Sequence, residues 1–194
     1  MALLEIQGLS KSFDGLKAVS NFSFSLSEGE LAGLIGPNGA GKTTVFNLIT
    51  GLYEPNRGTI RFNGEDLLQW KAYQITQRGI VRTFQNIRLF NDLTVLDNVR
   101  IAFHGHVAYG LLQATLRTPS FLQKERELTE KARELLQIFH LLNRQEELAK
   151  GLPYGEQRRL EIARALAAHP KLLLLDEPAA GMNPAEVRQL MELI

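Results

Sequence analysis

Two short stretches hold residues whose types and spacing could do chemistry. GPNGAGKTT, residues 36 to 44, fits the pattern G-x-x-x-x-G-K-[ST] through Gly36, Gly41, Lys42 and Thr43. Glycines let backbone N–H groups turn inward around an anion, and a helix starting there adds the positive end of its dipole. Lys42 is then placed to reach the outer oxygens of a polyphosphate, the Thr43 hydroxyl suits Mg²⁺, and Thr44 lies on the inner-phosphate side. Pro37, Asn38, Gly39 and Ala40 complete the loop. LLLLDEP, residues 172 to 178, runs four leucines into adjacent carboxylates. An exposed acidic pair has no need of that apolar approach; a buried strand ending at a charged site does. Asp176 is the candidate Mg²⁺ ligand, through a water, and Glu177 the candidate base for an attacking water. Either stretch alone fits a glycine-rich turn or an ordinary strand end. Together they point to phosphate chemistry, and the second acid points to hydrolysis.

The elements that must position these residues follow from periodicity. Leu4-Glu5-Ile6, Phe22 to Leu26 and Thr59 to Phe62 alternate apolar with polar and predict half-buried strands, the last ending on the turn pair Asn63-Gly64. Leu31 to Ile35 predicts a buried strand feeding the loop, and Val45 to Ile49 a helix stopping at Gly51. Gly79 to Phe84 and Lys171 to Leu175 are further candidate strands. Between them the helical period rules, with Leu128, Ala132, Leu135, Phe139 and Leu142 on one face and Glu127–Lys131 as a supporting pair. His104 to Ser120 reads as loop or short helices. Strand, helical insert and strand together predict an α/β fold.

Composition narrows the function classes. The 194 residues suffice for a sizeable core, and a formal net charge of +1 gives no global basic field of the kind nucleic-acid binders carry. Without cysteine the chain has neither disulfides nor thiolate metal sites. Residues 1 to 8 lack the cationic and apolar segments of a secretory signal, and no apolar run approaches the ~20 residues of a membrane span.

LPYGEQRRLEIARALAAHPKLLLLDEP, residues 152 to 178, resembles the signature region of ATP-binding-cassette proteins. The resemblance implies a P-loop NTPase core with an N-terminal antiparallel β subdomain and an inserted helical subdomain. It divides the chain into residues 1–91 (β subdomain and first part of the core), 92–165 (helical subdomain with the signature) and 166–194 (return to the core). It also implies that Pro153, Tyr154, Gly155, Glu156 and Gln157 face the γ-phosphate of ATP held by a second ATPase subunit, in a homo- or heterodimer closed head to tail. Here Pro153 stands for the family's serine and Tyr154 for its first glycine. By the same resemblance Phe13 stacks on adenine, Gln85 touches Mg²⁺ or water, and residues 179 to 184 form a cross-dimer loop.

TFQNIRLFNDLTVLDNV and the insert around HGHVAYGLLQATLRTPSF resemble the ATPase subunits of bacterial branched-chain amino acid importers. That implies an ATPase peripheral to the cytoplasmic face of the membrane, docked on transmembrane permease subunits near Arg88, Leu89 and Phe90. The family's switch histidine belongs downstream of residue 184, whereas His104, His106, His140 and His169 all precede it. The expectation is a C-terminally truncated cassette. Rival readings are a nucleotide-binding module without turnover, a cassette ATPase acting outside transport, and a metabolite kinase, which would lack the signature helix.

Overall fold

The computed structural model describes residues 2–106, 115 and 117–193. Much of the stretch from His104 to Ser120 therefore lies outside the described residues. The chain divides into two compact units, Met1–Ile80 and Val81–Ile194.

In the first unit, alternation produces an antiparallel sheet. Strands β1 (Ala2–Phe13) and β2 (Leu16–Ser27) form a hairpin, β3 (Arg57–Phe62) pairs with the other edge of β1, and β4 (Glu65–Asp66) follows β3. Leu4, Ile6, Leu9, Ile60 and Phe62 are buried, while Thr59 and Arg61 point to solvent. Both hairpin turns have two residues with positive φ, Asp14-Gly15 at 45° and 88° and Asn63-Gly64 at 50° and 81°. That geometry matches the twist of the strands they join. Helix α1 (Lys42–Ile49) buries Val45, Leu48 and Ile49, and the chain turns out of it at Gly51, φ 69°. A short helix α2 (Ala72–Gln77) buries Ile75.

The run Leu31 to Ile35, expected as a buried strand, is not one. Residues 30–37 carry no regular structure, and Leu31 and Ile35 are 87% and 96% exposed. A strand exists only within a ladder that satisfies its N–H and C=O groups, and apolar composition does not supply the neighbour. After β2 the Glu30 amide turns back to the Ser27 carbonyl at 3.3 Å. Among the described residues no strand pairs with 31–35.

The second unit packs helices around its own core. Strand β5 (Ile80–Arg82) pairs with β6 (Leu172–Leu174), and around them lie α3 (Val95–Phe103), α4 (Pro119–Ile138), α5 (Tyr154–Ala167) and α6 (Pro184–Leu193). Val95, Val99, Leu136, Phe139, Leu160 and Ala163 form the centre of the core. On α4 the buried line is Leu128, Ala132 and Leu136, with Leu135 at its margin; the helix ends at Ile138, so Phe139 and Leu142 reach the same core from beyond it. Steps of four keep these residues on one stripe, and Leu135 sits about 100° round the helix from Leu136. Glu127 accepts a hydrogen bond from Gln123 at 3.0 Å, one turn N-terminal, in the place expected for Lys131.

Candidate functional site

The phosphate-loop residues converge on the start of α1. Gly41 is its N-cap at φ 88°, and no side chain caps the helix, so its first-turn N–H groups stay open to an anion. Lys42 Nζ donates to the Gly36 and Pro37 carbonyls at 2.6 and 3.1 Å, which holds the ammonium across the loop. Asn38, Gly39, Ala40 and Thr43 are exposed and Thr44 is half-buried. A β-carbon at Gly41 would collide with the Ala18 carbonyl oxygen in addition to facing the left-handed backbone. Gly41→Ala is therefore expected to cost more than a left-handed alanine alone, which costs about 1–2 kcal/mol, and to weaken polyphosphate binding. Thermal melts and calorimetric titration read the two effects separately.

Phe13 ends β1 beside the first hairpin turn, 37% exposed, with its ring edge-on to Tyr53 at 5.1 Å and Lys11 Nζ 5.1 Å from its centroid. Tyr53 carries no signal in sequence; its neighbour is forty positions away and is brought there by the sheet and α1.

The acidic residues sit in the second unit, where β5 and β6 end together. Arg82 closes β5, and Asp176 lies just past β6. Arg82 Nη2 donates to Asp176 Oδ2 at 2.7 Å, with only 5% and 6% of the two side chains accessible. One residue on, Glu177 is exposed and Gln85 Nε2 donates to its Oε2 at 3.0 Å. Glu177 also holds φ 48°, in the left-handed region that a β-carbon disfavours. Such strain persists where surrounding structure fixes it, and it clusters at functional sites. The structure thus brings Gln85 to Glu177 and sets a buried arginine against Asp176. Nothing local in the sequence signals Arg82.

The signature stretch starts α5. Pro153 is its N-cap and offers no side-chain hydrogen bond. Tyr154 lies over Gly181, and its hydroxyl is 3.4 Å from Arg158 Nη2. A β-carbon at Gly155 would come within 2.5 Å of Glu186 Oε1, so the glycine leaves room for that side chain at the start of α6. Glu186 is itself fixed, accepting from the Asn183 amide at 2.8 Å while Asn183 Oδ1 accepts from the amides of Ala185 and Glu186. Gln157 Nε2 donates to the Leu152 carbonyl, and Glu156 pairs with Arg144 at 2.9 Å.

Beside this site the second unit has a cavity of about 440 Å³ lined by Phe84, Arg88, Leu89, Phe90, Glu161 and Arg164, among others. Burial pushes the Arg164 guanidinium below its usual range, and the charge of Glu161 opposes that shift. Arg164 and Arg88 stack on Phe90 and Phe84, at 5.4 and 4.2 Å from the ring centroids. The lining is therefore mainly apolar, with Phe84 and Phe90 among its aliphatic side chains and Arg88 and Arg164 beside one carboxylate, Glu161.

Of the sequence-predicted metal residues, Thr43 lies in the first unit and Gln85 and Asp176 in the second; each carries an oxygen of the kind Mg²⁺ takes. Among the described residues no group of three or more His, Cys, Asp or Glu could cage a metal. The donors suit an ion that keeps its waters and arrives on a phosphate.

A family model described as "ABC transporter" matches residues 19–180. The chain is 47% identical over 192 residues to the high-affinity branched-chain amino acid transport ATP-binding protein LivG of Salmonella typhimurium, covering 99% of this chain and 75% of that protein. BraF of Pseudomonas aeruginosa, described as the same kind of transport protein, is 45% identical over the same shares. Among solved structures, an ATP-binding cassette of an ABC transporter in its ADP conformation superposes with a TM-score of 0.82 at 32% identity, covering 100% of this chain and 75% of that one.

Proposed function

The chain belongs to the ABC transporter family, and on that premise we propose that it is the ATP-binding and hydrolysing subunit of an importer of branched-chain amino acids. The observation that carries this reading is the Gln85–Glu177 hydrogen bond, between residues 92 apart in sequence, beside the buried Asp176. A bare phosphate binder has no use for an exposed carboxylate held in strained backbone by an amide.

In this reading the amides of residues 38 to 43 and the Lys42 ammonium hold the phosphates, Thr44 faces the α-phosphate and Phe13 stacks on adenine. Thr43, Asp176 and Gln85 would hold Mg²⁺, which when bound would supply neutralisation of phosphate charge. Gln85 fixes the Glu177 carboxylate so that it takes a proton from the water attacking γ-phosphorus. The bond from that phosphorus to the bridging oxygen breaks, and ADP and phosphate leave. A second copy, closed head to tail, turns the N-terminus of its α5 to the γ-phosphate. With proline at 153 that contact falls to the backbone amides of Tyr154 and Gly155, with Glu156 and Gln157 behind them. Residues 1–91 supply the β subdomain and phosphate loop, 92–165 the helical subdomain and 166–194 the return to the core.

Among the described residues no helix is long and apolar enough to cross a membrane. The surface we assign to the transmembrane permease is the cavity rimmed by Arg88, Leu89 and Phe90, which would hold the subunit at the cytoplasmic face. Its mainly apolar lining, in which arginines outnumber the single carboxylate of Glu161, suits a permease helix that carries one carboxylate among apolar residues. The test is reconstitution of the full-length subunit with its permease pair in proteoliposomes. ATP hydrolysis that requires Mg²⁺ and drives leucine, isoleucine or valine uptake is the expected result. Hydrolysis stimulated by RNA or DNA with no uptake would replace this reading with a cassette ATPase outside transport.

A further inference from the structure

Gln85 lies in a segment without regular structure. Residues 83–90 form neither helix nor strand, so their backbone groups need partners from elsewhere. Two side chains, three residues apart on α5, supply them. Arg158 is completely buried; its Nη1 donates to the Phe84 carbonyl and its Nη2 to the Gln85 carbonyl, both at 2.7 Å. Glu161 is 2% exposed; its Oε1 accepts from the Arg88 amide at 3.2 Å, and its Oε2 accepts from Arg158 Nη1 at 2.7 Å. One ion pair thus grips a five-residue segment at three backbone points.

Burying two charges is expensive, and an apolar pair of the same volume commonly stabilises a core as well or better. What the ion pair adds is direction. A planar guanidinium carries its donors on two nitrogens in a rigid fork, so Nη1 and Nη2 each meet one of two consecutive carbonyls while Nη1 also meets Glu161. An ammonium gathers its donors on one atom without that fixed fork, and a hydrocarbon has none. We propose that Arg158 and Glu161 are positioning residues for ATP hydrolysis, which clamp the Phe84–Arg88 backbone to α5 so that Gln85 is presented to Glu177. The clamp touches neither nucleotide nor water and acts through Gln85. It also makes the segment move with the helix that starts at the signature stretch. Phe84, Arg88 and Glu161 line the 440 Å³ cavity as well, so a helix seated there presses on the clamped segment.

The proposal rests on the hydrolytic reading of Gln85 and Glu177, and its experiment separates the two. In the full-length subunit, Arg158→Lys keeps a charge opposite Glu161 but replaces the rigid two-nitrogen fork with a single, shorter-reaching ammonium. It is expected to lower kcat about tenfold with KM for MgATP within about twofold, and to speed amide exchange at residues 84–90 while the amides of α5 stay protected. Because the clamp works through Gln85, Arg158→Lys added to Gln85→Ala should slow hydrolysis no further than Gln85→Ala alone. Should Arg158→Lys fold poorly, Arg158→Met/Glu161→Gln removes both charges together and should reproduce the loss of kcat and the faster exchange. Parental kcat and exchange in the folded variants, or losses that multiply with Gln85→Ala, would overturn the clamp. A parent protein without ATP turnover would sink the hydrolytic reading, while exchange at residues 84–90 would still report whether the grip exists.

Discussion

Glu177→Gln is expected to slow ATP hydrolysis by about 10²–10⁴-fold, the usual contribution of a positioned general base, with nucleotide binding retained. The substitution is nearly isosteric, and residue 177 keeps the left-handed backbone that it adopts at φ 48°. A glutamine oxygen there can still accept from Gln85 Nε2, so the 3.0 Å contact survives in kind. The lost property is the capacity to take a proton. Stability should hardly change, because the Glu177 side chain is exposed and forms no ion pair among the described residues. Single-turnover measurement of γ-phosphate release, beside calorimetric titration with ATP, separates the two predictions. An unchanged rate with binding intact would assign the base elsewhere. Lost binding would show instead that the carboxylate shapes the site.

The contrast between the phosphate loop and its distant partners shows what a sequence can carry. Gly36, Gly41, Lys42 and Thr43 are recognisable because their geometry is local: a glycine at positive φ, a helix start and a lysine that folds back six residues. The hairpin turns Asp14-Gly15 and Asn63-Gly64 belong to the same class, as do the alternating strands around them. Leu31 to Ile35 fails for the opposite reason: its composition is that of a buried strand, but strand formation depends on a neighbour that composition does not name. Arg82 and Arg158 were equally illegible. In RGIVRTFQN an arginine after a strand reads as a solvated cation, and in GEQRRLEIARAL one reads as the polar face of a helix. Their partners lie 94 and 73 or more residues away, and only the fold discloses that both arginines are buried. Family resemblance supplied Gln85, Phe13 and the signature positions, where residue types alone left a core aromatic or a surface amide equally open.

Asp176→Asn is expected to be damaging for two reasons that one further variant can separate. The Arg82–Asp176 pair is 2.7 Å long with side chains only 5% and 6% accessible, so solvent cannot screen what the mutation leaves behind. Removing the carboxylate charge strips Arg82 of its buried counter-ion, a change that costs about 3–5 kcal/mol. In a chain of this size that is roughly 6–20 °C of melting temperature. The same mutation removes a hard anionic oxygen from the proposed Mg²⁺ site, so lost activity alone would be ambiguous. Arg82→Met/Asp176→Asn resolves it: with both charges gone the interior holds no uncompensated ion, and melting should recover most of the loss. If Asp176 also serves the metal, this restabilised protein should bind ATP without the gain in affinity that Mg²⁺ gives the parent. Stability restored together with a normal Mg²⁺ response would make the pair a structural ion bridge and move the metal ligand elsewhere. Stability that stays low in the double variant would show that Arg82 is held by more than its carboxylate.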